Sequence, residues 1–493
     1  MSTGYLDPHS DAASAKETIH PFPGTHVRAR ARTEAGLVLA HGYAAIATLI
    51  ISAIFGTAVA IKFVAPDFLG TEPWATWGLL RYNHTQGIMF GWLGNAFLCF
   101  TYYATPRLAG RSVTGKGLGW LLFVLWNFGM VLPGWALVEA NLPQWLLAIK
   151  PLEWTEFPLA INAVTELCLA LMLVQFALPI VRGPERDQLY ISAWYLLGGV
   201  VFTLLAFPMG SLVPEFAPGA IGAAFSGLWI HDAVGLFVTP FALAITYYVI
   251  PAATGRPVYS HFVSMLGFWV LFFIYPMNGT HHYVYSAIPM DTQRAAIAAS
   301  VLLGFDVILV VFNQLMSLRG ARGVMWRDVP LRFAWVGVVF YLLVSVQGSV
   351  QALMPVQRVI HFTDWVIGHS HLAMLGFATF VSMAGILHAW QRTPGARYHD
   401  GLANAGFWLL LTGLVLMVGD LTIAGLVQGN LWAQSVPWMD SVRASMPYWW
   451  IRVVSAVPVL AGFGLVAAAM LCGPLVSEGR AHEPVSGNGE AVR

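Results

Sequence analysis

Charge is what this 493-residue chain has least of: 10% of its residues are Asp, Glu, Lys or Arg, while 57% are hydrophobic. At a mean hydropathy of +0.67, there is too little polar surface to wrap a soluble globule of this length, so the chain reads as a polytopic membrane protein. Cysteine is scarce as well. Cys99, Cys168 and Cys472 stand singly within apolar stretches, which excludes a disulfide framework, a CxxC motif and the CxxCH motif that would attach a c-type haem. The polar N-terminal stretch lacks an apolar core of signal-peptide type. No short-period repeat and no separable soluble domain is visible.

Long apolar runs are what the chain does have. Crossing a bilayer takes roughly 20 residues of helix, and twelve such stretches fall near 37–63, 83–105, 117–138, 158–182, 190–213, 226–251, 260–284, 295–317, 333–354, 364–389, 402–428 and 449–473. The expected fold is an all-α membrane protein with twelve transmembrane helices. With the N-terminus inside, 18 of the 25 Lys and Arg residues fall in inside segments, a bias that predicts both termini in the cytoplasm. Residues 1–35 and 476–493 are expected as cytoplasmic tails around one membrane domain, 36–475.

The tenth stretch opens with His361-Phe-Thr-Asp364-Trp365-Val-Ile-Gly-His369-Ser-His371. Residues two apart on an α-helix point about 200° away from each other. His369 and His371 are therefore better placed to serve two centres on either side of a helix than one metal. An imidazole inside a bilayer is costly unless paired or ligating, and no obvious acidic partner lies nearby. Other spans supply His84 in Arg81-Tyr-Asn-His84-Thr, His231 in Trp229-Ile-His231-Asp232, and His281-His282 after Tyr275-Pro-Met-Asn-Gly-Thr. On the topology set by charge, all six histidines lie near the outer ends of their helices. Unrelated core histidines would scatter in depth, so the common level points to one polynuclear site. Imidazole suits copper and haem iron: His231, His281 and His282 would hold one copper, His84 and His371 would bracket one haem, and His369 would hold a second haem from one side. His41, with no partner of similar placement, reads as structural.

This ordered set resembles the catalytic subunit of the haem-copper oxygen reductases, specifically the C-type, or cbb3-type, cytochrome c oxidases. The resemblance runs through nearly all twelve stretches. It rests on Arg81-x-x-His84-Thr, His231-x-Ala-Val-Gly235 followed by Tyr247-Tyr248 and Arg256-Pro-Val-Tyr-Ser, Tyr275 six residues before His281-His282, the His361 to His371 motif, Ala424-Gly-x-x-Gln428-Gly-x-x-Trp432, and Pro447-Tyr-x-x-Ile-Arg452. It implies a terminal respiratory oxidase of the bacterial inner membrane that reduces O₂ to water, coupled to proton uptake and pumping. On the resemblance, His84 and His371 ligate a low-spin haem b, His369 is the proximal ligand of a high-spin haem b, and His231, His281 and His282 bind copper. Tyr275 matches the family's tyrosine that is cross-linked to a copper-ligand histidine, here His231. Arg452, and His361 with Asp364, resemble groups near the haem propionates. Tyr341 matches a tyrosine of the family's proton path, for which Thr246, Tyr248, Ser345 and Ser349 are further candidates. Electrons would come from separate c-type cytochrome subunits; nucleic acid is not an expected partner. Glu153 or Glu156 would correspond to the family's calcium ligand, against a reading of both as solvated carboxylates.

Two positions depart from the family pattern. Asp232 stands where the family has asparagine after the copper histidine, and Gln347 where it carries a glutamate near the site. An alternative keeps the fold: related nitric oxide reductases, which turn NO into N₂O, use non-haem iron in copper's place, carry a glutamate four residues after the first metal histidine, and lack the tyrosine. Gly235 and Tyr275 favour O₂ over NO here, whereas Gly279-Thr280-His281-His282-Tyr283 is reminiscent of the reductases and Asp232 offers a fourth ligand to an iron. A transporter is a third reading, with no broken-helix pair or inverted repeat to support it.

Overall fold

Lipid offers no partner to an open backbone N–H or C=O, so long apolar runs in a bilayer resolve into helices. The computed structural model describes residues 31–70, 72–136, 149–150 and 152–473, and among these there is no strand. Its long helices are α1 (Ala35–Val64), α2 (77–109), α3 (Lys116–Trp135), α4 (Leu159–Arg182), α5 (Ile191–Phe216), α6 (Ala220–Thr254), α7 (His261–Tyr283), α8 (Met290–Ser317), α9 (Val329–Gln351), α10 (Asp364–Trp390), α11 (Asp400–Ala433) and α12 (Trp438–Cys472). The expected tails fall almost wholly outside the described residues, as does most of the α3–α4 connection from Glu139 onward.

Eleven of these helices are both long and apolar enough to cross a membrane. The exception is α2, which carries Asn83, His84, Gln86, Asn95, Thr101 and Thr105. It tolerates them because it is sheathed by protein: every residue of 89–109 except Arg107 is buried, and the helix packs against α1 and the second half of α10. Helix starts also differ from expectation. α12 begins at Trp438 and continues through Pro447, α6 begins at Ala220, and α2 at Trp77. Hydropathy senses where lipid contact begins, and a hydrogen-bonded helix can run past that point.

Two helices hold the centre. The most apolar windows of α6 and α10 are 94% buried inside the protein, against 39–67% for the other scored spans. These central helices and α2 each widen into a π-helical stretch on the C-terminal side of a histidine: Gly87–Gly94 after His84, Ala233–Val238 after His231, and Leu372–Thr379 after His371. Such turns concentrate at functional sites. At the rim, α11 and α12 run together through facing glycines. A Cβ on Gly406 would come 2.9 Å from the carbonyl oxygen of Gly462, and one on Gly462 would come 3.0 Å from that of Gly406. Between membrane helices, close backbone approach through small residues replaces the hydrophobic drive that lipid cancels. Gly462→Leu should force the two helices apart at a cost of about 1–3 kcal/mol, seen as a lower Tm in detergent; an unchanged Tm would show that the helices do not approach this closely.

Candidate metal and cofactor site

The first turn of α10 is anchored before its histidines appear. Thr363 caps it, with Oγ1 accepting from the Trp365 N–H at 3.3 Å. The Asp364 carboxylate accepts from Gln428 Nε2 on α11 at 2.6 Å and from Trp449 Nε1 on α12 at 2.9 Å. Beyond it, His369 and His371 take opposite sides of the helix. His371 lines one cavity together with His84, and His369 lines another together with His231, His281 and His282. Both cavities are concave and open directly beside their histidines, the placement a bound macrocycle needs. Glu153, Trp154, Ser370 and Met374 line both cavities and so divide them.

In the first cavity the His84 and His371 rings are near-parallel, 20° between planes, with centroids 6.3 Å apart. Two metal–nitrogen bonds of about 2 Å each, together with the two ring radii, span nearly that distance. Each Nδ1–H donates to a backbone carbonyl at 2.8 Å, His84 to Ser52 and His371 to Ile367. That fixes both tautomers and leaves both Nε2 atoms free to ligate. Arg452 lines the same cavity. Its Nη1 lies 3.7 Å from Asp364 Oδ1 and its guanidinium sits 5.0 Å above the Phe63 ring, yet Nη1 is buried without a hydrogen-bond acceptor. An unspent donor there suits an anionic group such as a haem carboxylate. His361, expected beside Asp364 near that group, lines neither cavity; its ring stacks on exposed Phe362 at 4.0 Å.

In the second cavity one nitrogen from each of His231, His281 and His282 lies within 4.8 Å of the others. His231 Nδ1 and His282 Nε2 are 3.1 Å apart, about the spacing of neighbouring ligands on a metal with bonds of about 2 Å. His281 Nδ1 meets the Ser300 hydroxyl at 2.7 Å, and His369 Nδ1–H donates to the Gln347 amide oxygen at 3.0 Å. Gln347 therefore orients His369. Tyr275 stacks on His231, 4.5 Å between centroids and 21° between planes, and its ring lies over Gly235: a Cβ there would fall 1.6 Å from Tyr275 Cε1. Asp232 does not join the three histidines as a fourth ligand. Adjacent helical residues diverge by about 100°, and Asp232 is buried outside the cavity with Oδ1 unpartnered.

The connection ahead of α4 closes over both cavities. Glu156 is not a solvated carboxylate: it is 3% exposed, accepts a short hydrogen bond from Gln86 Nε2, and pairs with Arg81 at 3.4 Å. Burial raises its carboxyl to about 7, against the lowering effect of Arg81. Trp154, whose carbonyl accepts from Trp229 Nε1, takes φ +65° while only 8% exposed. A bulky residue held in that region is strained and marks a wall the surrounding structure enforces.

Of the expected proton-path residues, Tyr341, Ser345 and Ser349 on α9 line the second cavity. Thr246 accepts from Gln314 Nε2 at 2.8 Å, and Tyr248 packs edge-on against His388; neither reaches the cavity. His41 is held by Asn95 at 2.8 Å, away from both. The sequence did not point to Ser52, Ser300 or Trp154, and Gln347 registered there only as a departure. Their partners lie on other elements, so no local spacing signals them.

Comparison with known proteins agrees with this arrangement. The family model described as cytochrome c and quinol oxidase polypeptide I matches residues 36–458. A cytochrome c oxidase subunit 1 homolog (bacteroid) of Bradyrhizobium diazoefficiens is 28% identical over 88% of this chain and 81% of its own length. The cbb3-type cytochrome c oxidase subunit CcoN1 of Stutzerimonas stutzeri is 28% identical over 84% of this chain and 89% of its own. A heme-copper terminal oxidase dimer solved by cryo-EM shares the fold at TM-score 0.72 and 13% identity, over 90% of this chain and 85% of that one. With a family match spanning α1 to α12 and two cavities divided by one histidine-bearing helix, the chain belongs to the cytochrome c and quinol oxidase polypeptide I family, as a haem-copper oxidase subunit I of the cbb3 type.

Proposed function

We propose that this chain, a terminal oxidase catalytic subunit, reduces O₂ to water between His369 and the three-histidine group of His231, His281 and His282. The observation that carries the reading is the division of labour on α10, with His371 facing His84 in one cavity and His369 facing the three histidines in the other. Haem and copper are the family's cofactors, and when bound they supply the electron-transfer and O₂-binding chemistry. In the proposal His84 and His371 would hold a low-spin haem b, His369 would hold a high-spin haem b, and His231, His281 and His282 would hold copper. Arg452 turns its unspent donor toward a haem carboxylate. Glu153 is the carboxylate available to a calcium ion, because Glu156 is engaged by Arg81 and Gln86; backbone oxygens and water would complete the six to eight ligands calcium takes.

Tyr275, stacked on the copper histidine, is positioned to give a proton and an electron as the O–O bond is cleaved. It also bears on the alternative. A side chain at position 235 would collide with the Tyr275 ring, so the reductases' glutamate and this tyrosine exclude one another in this fold, and nitric oxide reduction is not favoured. The chain is a multi-pass subunit that works with others. Separate c-type cytochromes would deliver electrons at the outer face, and protons would be taken up from the cytoplasm, where both termini lie on the charge bias. Each charge moved against the membrane potential stores about 2.3 kcal/mol per 100 mV.

Metal analysis of the purified complex, with O₂ and NO turnover measured side by side, tests the reading. Copper near one per chain with dominant O₂ consumption is expected; non-haem iron in its place with NO turnover would overturn it. His369→Ala should remove the high-spin haem signal and spare the low-spin one, and loss of both from an intact protein would sink the assignment. Tyr275→Phe should abolish O₂ reduction with haem and copper retained; near-normal turnover would refute the tyrosine's role.

A further inference from the structure

Asp306 lies within α8, 3% exposed, and neither carboxyl oxygen meets a hydrogen-bond partner among the described residues. A carboxyl inside a membrane helix is expensive, and such residues mark routes of ions or protons. This one has no structural pairing to account for it, and it lines neither cavity.

Its surroundings are hydroxyls and amides on both sides. Asp306 is an electrostatic neighbour common to Tyr195, Tyr247 and Tyr341. A Cβ on Gly267 of α7 would lie 3.5 Å from Asp306 Oδ1 and 3.7 Å from Tyr195 Oη, so acid and phenol overhang the same bare spot, and Tyr195 Oη is also unpartnered. Buried polar atoms gathered in this way are where proteins hold ordered water. Two turns further along α8, on the same face, Asn313 Nδ2 donates to Ser264 Oγ at 2.7 Å and meets Tyr247 Oη at 3.5 Å. In the other direction Tyr341 lines the cavity that contains Tyr275.

We infer that Asp306 is a proton-carrying acid between the Asn313–Ser264–Tyr247 cluster and the Tyr341 wall of the oxygen-reducing cavity. Its carboxyl O–H breaks as the proton moves through ordered water to the Tyr341 oxygen, and the phenolic proton of Tyr341 passes on into the cavity. The carboxylate then takes a proton back from the hydroxyl of Ser264 or Tyr247, which is refilled in turn by a proton from water on the cytoplasmic side, so each cycle moves one proton from that water to the cavity and leaves every group as it began. Hydroxyls pass a proton on only as they receive another, whereas a carboxyl can keep one and release it.

The inference rests on the oxygen-reduction reading, and the test separates the two. In the whole oxidase complex, Asp306→Asn should keep haem spectra and metal content, lose a carboxylic C=O band from the redox-difference infrared spectrum, and slow O₂ consumption on the order of tenfold to a hundredfold. Asp306→Glu should restore most turnover with the band displaced. Wild-type turnover and an unchanged band in Asp306→Asn would overturn the inference. Should Asp306→Asn fail to assemble, a band unmoved in Asp306→Glu would overturn it equally. Should the wild-type complex consume NO and not O₂, the functional reading falls, while loss or persistence of the band still decides Asp306.

Discussion

An imidazole in the middle of a membrane protein has to be occupied, and the fold is arranged around meeting that demand for two imidazoles two residues apart. Because His369 and His371 leave α10 on opposite sides, the helix must have a cavity on each flank, and so it must be central and buried. α10 and α6, the two most buried spans, are the ones that carry His369, His371 and His231. The outward nitrogens are satisfied without charge: carbonyls of Ser52 and Ile367 hold the first cavity's pair, and the Gln347 amide holds His369. Neutral acceptors fix ring orientation without adding a buried charge beside the ligand.

At the walls of the two cavities, buried charge comes in pairs. Asp364 and Arg452 are each less than a tenth exposed, and breaking such a pair by removing one partner typically costs about 3–5 kcal/mol. Their separation of 3.7 Å and the two neutral donors on Asp364 imply that the carboxylate chiefly ties α10 to α11 and α12. The arginine is left with donor capacity toward the cavity. Glu156 with Arg81 and Gln86 repeats the pattern at the other wall, behind the strained Trp154. Asp306 departs from this pattern, as does Asp420: each is a buried acid with neither carboxyl oxygen partnered among the described residues.

The contact between Tyr275 and Gly235 shows how two sequence features become one. Read along the chain, a missing glutamate and a present tyrosine are separate marks of oxygen chemistry. In the folded molecule the tyrosine ring occupies the volume a side chain at 235 would need, so one choice enforces the other.

Much of this was legible in the chain itself. Hydropathy located the helices because a lipid-facing helix must be apolar, and the helical period alone required His369 and His371 to face different sides of α10, where they line different cavities. The six histidines that the sequence grouped are gathered at the two cavities, His84 and His371 at one and His231, His281, His282 and His369 at the other. What the sequence could not reveal are relations between distant segments. The polar make-up of α2 is tolerated because other helices sheathe it, Asp232 turns away from the histidines it adjoins, and Glu156 is sealed in by Arg81 and Gln86. Ser300 and Gln347 reach their histidines from other helices. Local periodicity records which way a side chain leaves its own helix; which neighbour it then meets is decided by packing, and packing is a property of the tertiary structure alone.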